Sequence, residues 1–379
     1  MNNFEKEFAS FDGRIWLNAA SEGPLPLVSA RALADAIEWK SKPYQLSIPK
    51  FVSTQKGLKE SIGRLIGVPH RDVILANSAS YGLHILANGI QWKRGDEIIL
   101  MHNDFPADIL PWLALEEKGV VIRQVKARKQ VIEPSELLEN ITDQTRLFCI
   151  PHVHTFTGIV LDIKRFSEIC KEKKIIYVLN ITQSVGTMPI DLSQFSVDAV
   201  VSAGYKWLCG PYGTGFCWIK PELRDQLSLN RAYWPAILSE EDLKSEDVLT
   251  ARDIKTARKY DIFGTANFFN FVPLKAAIDF FLEVGLEHVR AYHDSLIELF
   301  LSQLNSDQYD LISPREGSQR SSLVFFSHRD RNRNEQIFKD LTRQGIHTAF
   351  WKGNLRVAPH IYNTEEQMHK VAQVLKEFQ

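Results

Sequence analysis

The sequence lacks the features that mark membrane, nucleic-acid-binding or disulfide-rich proteins. Its four cysteines in 379 residues form no CxxC pair, so neither a disulfide framework nor a zinc knuckle is expected. The formal net charge of -1 leaves no excess for nucleic acid or an anionic bilayer. The most apolar long window, residues 267–285, contains Lys275, Asp279 and Glu283, which argues against a membrane span. The acidic N-terminal stretch has no apolar core, so we expect no secretory signal and a cytoplasmic protein.

What the sequence does contain is a regular alternation of short apolar runs and helical patterns. The composition, 44% hydrophobic and 24% charged, is that of an ordinary globular protein. The alternation between residues 70 and 220 predicts an α/β fold with a mainly parallel sheet covered by helices. The predicted strands are residues 73–75, 97–101, 120–125, 147–150, 175–179, 199–202 and 215–219, and the predicted helices are 81–92, 109–118, 134–140 and 163–173.

The length of the chain favours two domains. A long amphipathic stretch over residues 268–294 is followed by a polar loop near 313–322 and a closing helix from Thr364. We therefore predict a large domain over residues 15–265 and a smaller C-terminal α/β domain over 266–379, joined by residues 1–14.

The segment over residues 202–215 carries the most chemical information. It places Lys206 after an apolar strand, among aromatic and small residues and before several glycines. A lysine in a desolvated site loses its proton more readily and becomes a nucleophile for an aldehyde. A surface lysine in a glycine-rich turn is the alternative for such a residue in isolation.

This segment resembles the cofactor-lysine motif of the class V aminotransferase group, which includes cysteine desulfurases, kynureninases and isopenicillin N epimerase-like proteins. Further matching pieces occur in the family's order from Trp16 to about Gln373. The resemblance implies a fold-type I enzyme that holds pyridoxal 5'-phosphate as a Schiff base on Lys206. Among the groups named, the epimerase-like members are the most similar.

The resemblance also assigns cofactor-binding residues. The segment over residues 77–82 follows a strand and opens a helix, where free N–H groups and the helix dipole suit a phosphate. A plain serine N-cap is the alternative. The resemblance places Ser78, Ala79 and Ser80 in a phosphate cup that Ser202 and Tyr205 complete.

Other positions are expected around the cofactor ring. Phe105 matches the family's stacking aromatic residue, and an apolar ring there supports the cofactor but cannot move protons. His154 and Thr155 replace a common Ser-Asn pair, which makes His154 a candidate for substrate binding and Thr155 for cofactor binding. His152 and His154 offer only two ligands, so no metal site is expected.

The strand-end motif over residues 176–186 holds an informative departure from the family. In relatives an aspartate contacts the pyridine nitrogen and a glutamine three residues later contacts the phenolic oxygen. Gln183 is present, but Asn180 occupies the position of the aspartate. A neutral amide stabilises a protonated ring nitrogen less well, so the sequence favours elimination or epimerisation over transamination.

The remaining matches concern the substrate and a second subunit. By resemblance, Asn18 and Ala19 in the N-terminal turn line the substrate site, and Arg356 binds a substrate carboxylate through its planar guanidinium. Gly264 and Thr265 match a pair that reaches the phosphate of the neighbouring subunit, which implies a homodimer with shared sites.

The predicted function is thus a lyase or epimerase that acts at Cα or Cβ of an amino-acid-like substrate with a carboxylate. A class V aminotransferase and a non-catalytic binding protein are the alternatives. Desulfurases of this group need a thiolate shortly before the C-terminal arginine, and no cysteine follows residue 217. The sequence therefore predicts that the chain is not a cysteine desulfurase.

Overall fold

Two β-sheets and a separate pair of short strands organise the chain, as seen in a computed structural model that describes residues 4–229, 233–249, 256–264 and 267–378. In chain order the strands of these residues are β1 Ile15–Trp16, β2 Val73–Ala76, β3 Glu97–Met101, β4 Val121–Val125, β5 Thr145–Pro151, β6 Ile176–Asn180, β7 Ala199–Ala203, β8 Gly215–Ile219, β9 Tyr309–Leu311, β10 Val324–His328, β11 Ile346–His347, β12 Ala349–Trp351 and β13 Asn354–Val357.

The larger sheet has seven strands in the order β2-β8-β7-β6-β5-β3-β4. Strands β3 to β7 pair in parallel, whereas β8 is antiparallel to both β7 and β2. The central strands are buried along almost their whole length, as expected when helices cover both faces of a parallel sheet. The predicted α/β fold class is confirmed, and each strand predicted between residues 73 and 219 is present.

The helices lie on both faces of this sheet and around the smaller one. They are α1 Leu27–Ser41, α2 Ile48–Ile66, α3 Ala79–Gly89, α4 Leu110–Leu113, α5 Pro134–Asn140, α6 Ile163–Lys173, α7 Pro221–Arg224, α8 Trp234–Ile237, α9 Glu240–Lys244, α10 Phe268–Val284, α11 Leu286–Gln303, α12 Asn334–Arg343 and α13 Glu365–Lys376. No helix in the described ranges is long and apolar enough to cross a membrane.

Two helix predictions differ from the structure. The stretch predicted over residues 109–118 contains only the short α4 and a 3-10 turn at Glu116–Lys118. The stretch predicted over residues 268–294 forms two helices, because Gly285 adopts a φ of 85° and ends α10 before α11 begins. A positive φ is far easier for glycine than for other residues, so the break falls at this position.

The smaller sheet is antiparallel, in the order β12-β13-β10-β9, and packs against α11, α12 and α13. The N-terminal segment joins this part of the molecule, because β1 pairs in parallel with β11 and Asn18 forms a bridge to Ala358. The segment then reaches the larger sheet, where the Gly23 N–H donates to the Tyr205 carbonyl over 2.9 Å. The predicted domain boundaries remain predictions.

Candidate active site

A cavity lies at the carboxyl ends of β5, β6 and β7, where parallel strands commonly build a ligand site. It is open to solvent on one side, and its space, including the open part, is about 490 Å³. Its walls come from the loop after β3, the start of α3, the ends of β5 to β7 and the Lys206 turn. The lining residues are Ser78, Ala79, Ser80, Phe105, Ala107, Asp108, Pro151, Thr155, Asn180, Thr182, Gln183, Ala203, Tyr205 and Lys206.

Lys206 projects from the turn that follows β7. Its Nζ lies 5.2 Å from the centroid of the Phe105 ring, so an aromatic face stands opposite the amine. Burial and, to a smaller extent, the nearby charge of Arg356 lower the pKa of Lys206 to about 8, with Asp108 partly opposing the shift. About a tenth of the amine is therefore neutral at pH 7, far more than for an exposed lysine, and the neutral form is the one that attacks a carbonyl carbon.

The amino end of α3 forms one end of the cavity. Ser78 caps this helix, accepting a hydrogen bond from the Tyr81 N–H over 3.3 Å, and Ala79 and Ser80 lie in the first turn beside the cavity. Gly215 of β8 passes so close that a Cβ there would lie 2.9 Å from the Ser78 Cα. The helix dipole and unpaired N–H groups favour an anion at this end.

The two residues predicted to complete the cup occupy different surroundings. Tyr205 lines the cavity and its ring lies 5.0 Å from that of Tyr212, with 32° between the planes. Ser202 is fully buried, and its hydroxyl donates to the Ala203 carbonyl over 2.9 Å rather than pointing to the cavity wall. The strand places Ala203 at the wall instead.

Asn180 ends β6 with its side chain in the cavity wall, and its neighbour is a residue that the sequence reasoning missed. The Asn180 Nδ2 donates to the Asp108 Oδ1 over 2.7 Å. Asp108 is 2% exposed, and burial raises its pKa to about 6, while the Asn180 hydrogen bond and the Lys206 charge partly oppose this shift. Its position three residues after Phe105 could have indicated Asp108 from the sequence. The 3-10 turn at Pro106–Asp108 brings its carboxylate to the wall that Phe105 also lines.

Gln183 is held by two partners on opposite sides of its amide. Its Oε1 accepts from the Trp207 indole N–H over 2.8 Å, and its Nε2 donates to the Ala20 carbonyl over 3.1 Å. The Trp207 carbonyl accepts in turn from the His360 Nε2 over 2.9 Å. The indole N–H can only donate, so it fixes which end of the amide is the oxygen. The orientation of the second N–H of Gln183 is fixed as a result.

The predicted His154–Thr155 pair separates into two roles. Thr155 lines the cavity. His154 is 1% exposed; its Nε2 lies 3.2 Å from the Asn103 carbonyl and its Nδ1 lies 2.8 Å from the Thr157 hydroxyl. Burial lowers the pKa of His154 to about 4, so it is neutral with both ring nitrogens occupied. Across the ranges that the structure describes, no cluster of three His, Cys, Asp or Glu side chains is arranged to hold a metal.

Arg356 approaches the site from β13 and meets the N-terminal segment. It is 1% exposed, and one terminal nitrogen donates to the Asn18 Oδ1 and the Ser21 hydroxyl, each over 2.7 Å. Its Nε is buried without a hydrogen-bond partner, and no acidic side chain of the described residues pairs with it. Burial lowers the pKa of Arg356 to about 9. A guanidinium held only by neutral oxygens is suited to an incoming carboxylate.

The structure says less about Ala19, predicted to line the substrate site, and about Gly264 and Thr265, predicted to reach the neighbouring subunit. Ala19 is fully buried, and its N–H donates to the Ala358 carbonyl over 3.2 Å, which ties the N-terminal turn to the end of β13. Gly264 is exposed with a φ of 106°, and its N–H donates to the Tyr233 hydroxyl over 2.9 Å. Thr265 lies outside the described residues. The homodimer remains a prediction.

Comparison with known proteins identifies the family. The family model for aminotransferase class-V matches residues 48–371. The chain belongs to this family. The match confirms the fold-type I prediction and the predicted cofactor, pyridoxal 5'-phosphate. The more specific resemblance to epimerase-like members is not tested by it.

Relatives of known or probable function cover nearly the whole chain. A probable cysteine desulfurase of Methanothermobacter thermautotrophicus is 24% identical over 96% of this chain and 94% of its own length. A kynureninase of Bacillus cereus is 25% identical over 99% of this chain and 91% of its own length. Among solved structures, the cystine C-S lyase C-DES with its product cysteine persulfide superposes with a TM-score of 0.85 at 20% identity, covering 96% of this chain and 97% of that one.

These comparisons correct one prediction. The absence of a cysteine after residue 217 led to the expectation that the chain is not a cysteine desulfurase, but probable cysteine desulfurases are among its relatives over nearly the full length. Solved cysteine desulfurases also share its fold. The prediction is wrong because one missing side chain is a local feature, whereas the similarity extends over both sheets.

The residues present fit pyridoxal 5'-phosphate. The amino end of α3 suits the phosphate, the Phe105 ring suits a flat aromatic face, and Lys206 suits the aldehyde. Gln183 keeps one N–H available at the cavity wall. These groups, which are far apart in the sequence, line one cavity. Motifs that matched the family by chance would not be expected to meet in this way.

Proposed function

We propose that this protein is a lyase that breaks a bond at Cβ of an amino acid, with a sulfur-containing side chain as the preferred leaving group. The observation that carries the proposal is the placement of two buried cations with different tasks. Arg356 lacks an acidic partner among the described residues, and Lys206 lies close enough for that charge to lower its pKa. A carboxylate on Arg356 would therefore bring Cα of an amino acid towards the Lys206 amine.

Pyridoxal 5'-phosphate, when bound, supplies a ring that takes up the electron pair left at Cα. Lys206 Nζ removes the Cα proton, since its lowered pKa keeps part of the amine neutral. Tyr205 also lines the cavity, and burial raises its pKa, so it remains a neutral phenol there.

The opposite wall disfavours a two-base epimerisation. Phe105 faces Lys206, and a phenyl ring cannot hold or deliver a proton. His154 lies nearby but is neutral, with both nitrogens occupied. The names of several relatives, a cystine C-S lyase and probable cysteine desulfurases, support cleavage next to sulfur.

The test is product analysis with purified holoenzyme. Cystine, cysteine and other L-amino acids are supplied separately, and sulfide or persulfide, ammonia and keto acid are measured. We expect sulfur release from at least one sulfur-containing amino acid. Keto-acid exchange without loss of the Cβ substituent, or conversion of L- to D-amino acid alone, would reject the proposal in favour of a transaminase or an epimerase.

A further inference from the structure

Asn180, at the position that the resemblance matches to an aspartate, is a neutral side chain, and its hydrogen bonds fix how it is turned. The Asn180 Oδ1 accepts from the Thr182 N–H over 3.0 Å. Because a backbone N–H can only donate, this end of the amide must be the oxygen. The Nδ2 then faces Asp108 at 2.7 Å. Asn180 thus presents N–H groups rather than a free acceptor to its surroundings in the wall.

The neighbouring carboxylate is unusually placed for a structural residue. Asp108 is 2% exposed and lines the same cavity as Asn180 and Lys206. Asn180 is the one hydrogen-bond partner of the Asp108 carboxylate in the described residues, and no lysine or arginine there forms an ion pair with it. A buried carboxylate with a single neutral partner is costly, and a cation brought into the cavity would offset that cost.

We propose that Asp108, oriented by Asn180, provides the negative charge that keeps the ring nitrogen of bound pyridoxal 5'-phosphate protonated in this protein. In this chain the negative charge comes from the 3-10 turn after β3 rather than from the end of β6. Asn180 keeps the strand-end position as a donor that holds the Asp108 carboxylate in the wall. The inference depends on the cofactor and not on the bond that the enzyme breaks. It removes the argument from Asn180 against transamination, because Asp108 would supply the charge that Asn180 lacks.

Asp104 is the natural competitor and supplies the control. It is 4% exposed and belongs to the same segment, but its Oδ1 accepts from the Phe105 N–H and it does not line the cavity. Burial and the neighbouring Asp108 charge raise the pKa of Asp104 well above its usual range, and Asp104 offers no oxygen to the cavity. A role for Asp108 by contact, rather than by general negative charge, predicts different results for the two residues.

The experiment measures the protonation of the ring nitrogen directly. Holoenzyme is prepared with pyridoxal 5'-phosphate labelled with nitrogen-15 in the ring, and its resonance is compared with small-molecule Schiff bases in both protonation states. We expect the wild-type resonance in the protonated range at neutral pH. Asp108→Asn should move it to the unprotonated range, Asp104→Asn should leave it unchanged, and Asn180→Asp combined with Asp108→Asn should restore it.

A second readout uses a cofactor analogue in which CH replaces the ring nitrogen. Wild type should bind the natural cofactor about ten- to a hundredfold more tightly than the analogue, the range expected for a charge-assisted hydrogen bond. Asp108→Asn should abolish most of this preference. An unprotonated nitrogen in the wild type, or an unchanged resonance and preference in a folded Asp108→Asn protein, would overturn the assignment. The wild-type spectrum remains decisive if that variant does not fold.

Discussion

The two sides of the cavity hold their charged groups in different ways. On the cofactor side, the ends of β6 and β7 and the turn after β3 place Lys206, Asp108 and Asn180 within one sheet edge. On the substrate side, Arg356 comes from the smaller sheet and is fixed by Asn18 and Ser21, more than 300 residues away in sequence. A single sheet positions Lys206, Asp108 and Asn180. The site around Arg356 forms only where the smaller sheet packs against the N-terminal segment.

The difference separates two kinds of cation. Lys206 faces a carboxylate and an aromatic ring, and its pKa of about 8 lets it exchange a proton near neutral pH. Arg356 has neutral partners and a pKa of about 9, so it stays mostly charged and acts as an anchor. We therefore expect the chemistry at the carboxyl ends of the large sheet's strands and substrate recognition at the junction between the sheets.

The largest effect is expected on the cofactor side, from Lys206→Ala. The variant should lose covalent attachment of the cofactor and at least about 10²–10⁴-fold in activity, because the nucleophile and the base are the same amine. Borohydride reduction followed by peptide mapping should find the pyridoxyl group on Lys206 in wild type. Lys220→Ala, at a partly exposed lysine paired with Asp198, is the control and should behave like wild type. A label found on Lys220 would disprove the assignment.

On the substrate side, Arg356→Ala should mainly weaken binding of carboxylate substrates. A charge-assisted bond contributes about 1.5–3 kcal/mol, so kcat/KM for amino acids should fall about ten- to a hundredfold. Amines without a carboxylate should be affected much less. Arg331→Ala is the control. Arg331 is exposed and donates a hydrogen bond to Asn354, which lies on β13 together with Arg356. Equal losses for amines and amino acids would show that Arg356 only supports the fold.

The electrostatic link between the two sides can be tested by pH. In wild-type apoprotein, uptake of the cofactor aldehyde should become faster as pH rises through about 8, because the neutral Lys206 amine is the reactive form. Arg356 lowers the pKa of Lys206, so Arg356→Gln should move this profile to higher pH. Asp108 raises it, so Asp108→Asn should move the profile to lower pH. Rapid-mixing absorbance measurements would give each profile, and coincident curves would mean that the charges do not interact.

The smallest effect is expected from Trp207→Phe, which removes the indole N–H that fixes Gln183. The free energy of unfolding should fall by about 1 kcal/mol from the lost hydrogen bond, with a further contribution if the smaller ring leaves a gap. Without the indole, the Gln183 amide can rotate, so the absorption band of the bound cofactor should also shift. Denaturant unfolding and the visible spectrum measure the two consequences. A stability loss with an unchanged spectrum would confine Trp207 to packing.

How much the sequence could predict depends on the distance over which each feature is encoded. The strands between residues 73 and 219 and the Lys206 turn are local patterns, and they appear where predicted. The sequence shows a glycine at position 285, but it does not show that this glycine ends a helix, because that depends on the positive φ adopted in the folded chain. Ser202 shows the reverse case, because its match to a motif did not reveal that its hydroxyl turns to a backbone carbonyl.

The sequence by itself determined the fold class, because apolar periodicity encodes strands and helices locally. The resemblance of its motifs to class V aminotransferases indicated the family and the cofactor. Only the tertiary structure decided that Asp108 meets Asn180 and that Arg356 meets Asn18. Those pairs are separated by 72 and 338 residues. Contacts over such distances arise from sheet order and from the packing of one sheet against the other, which no local pattern specifies.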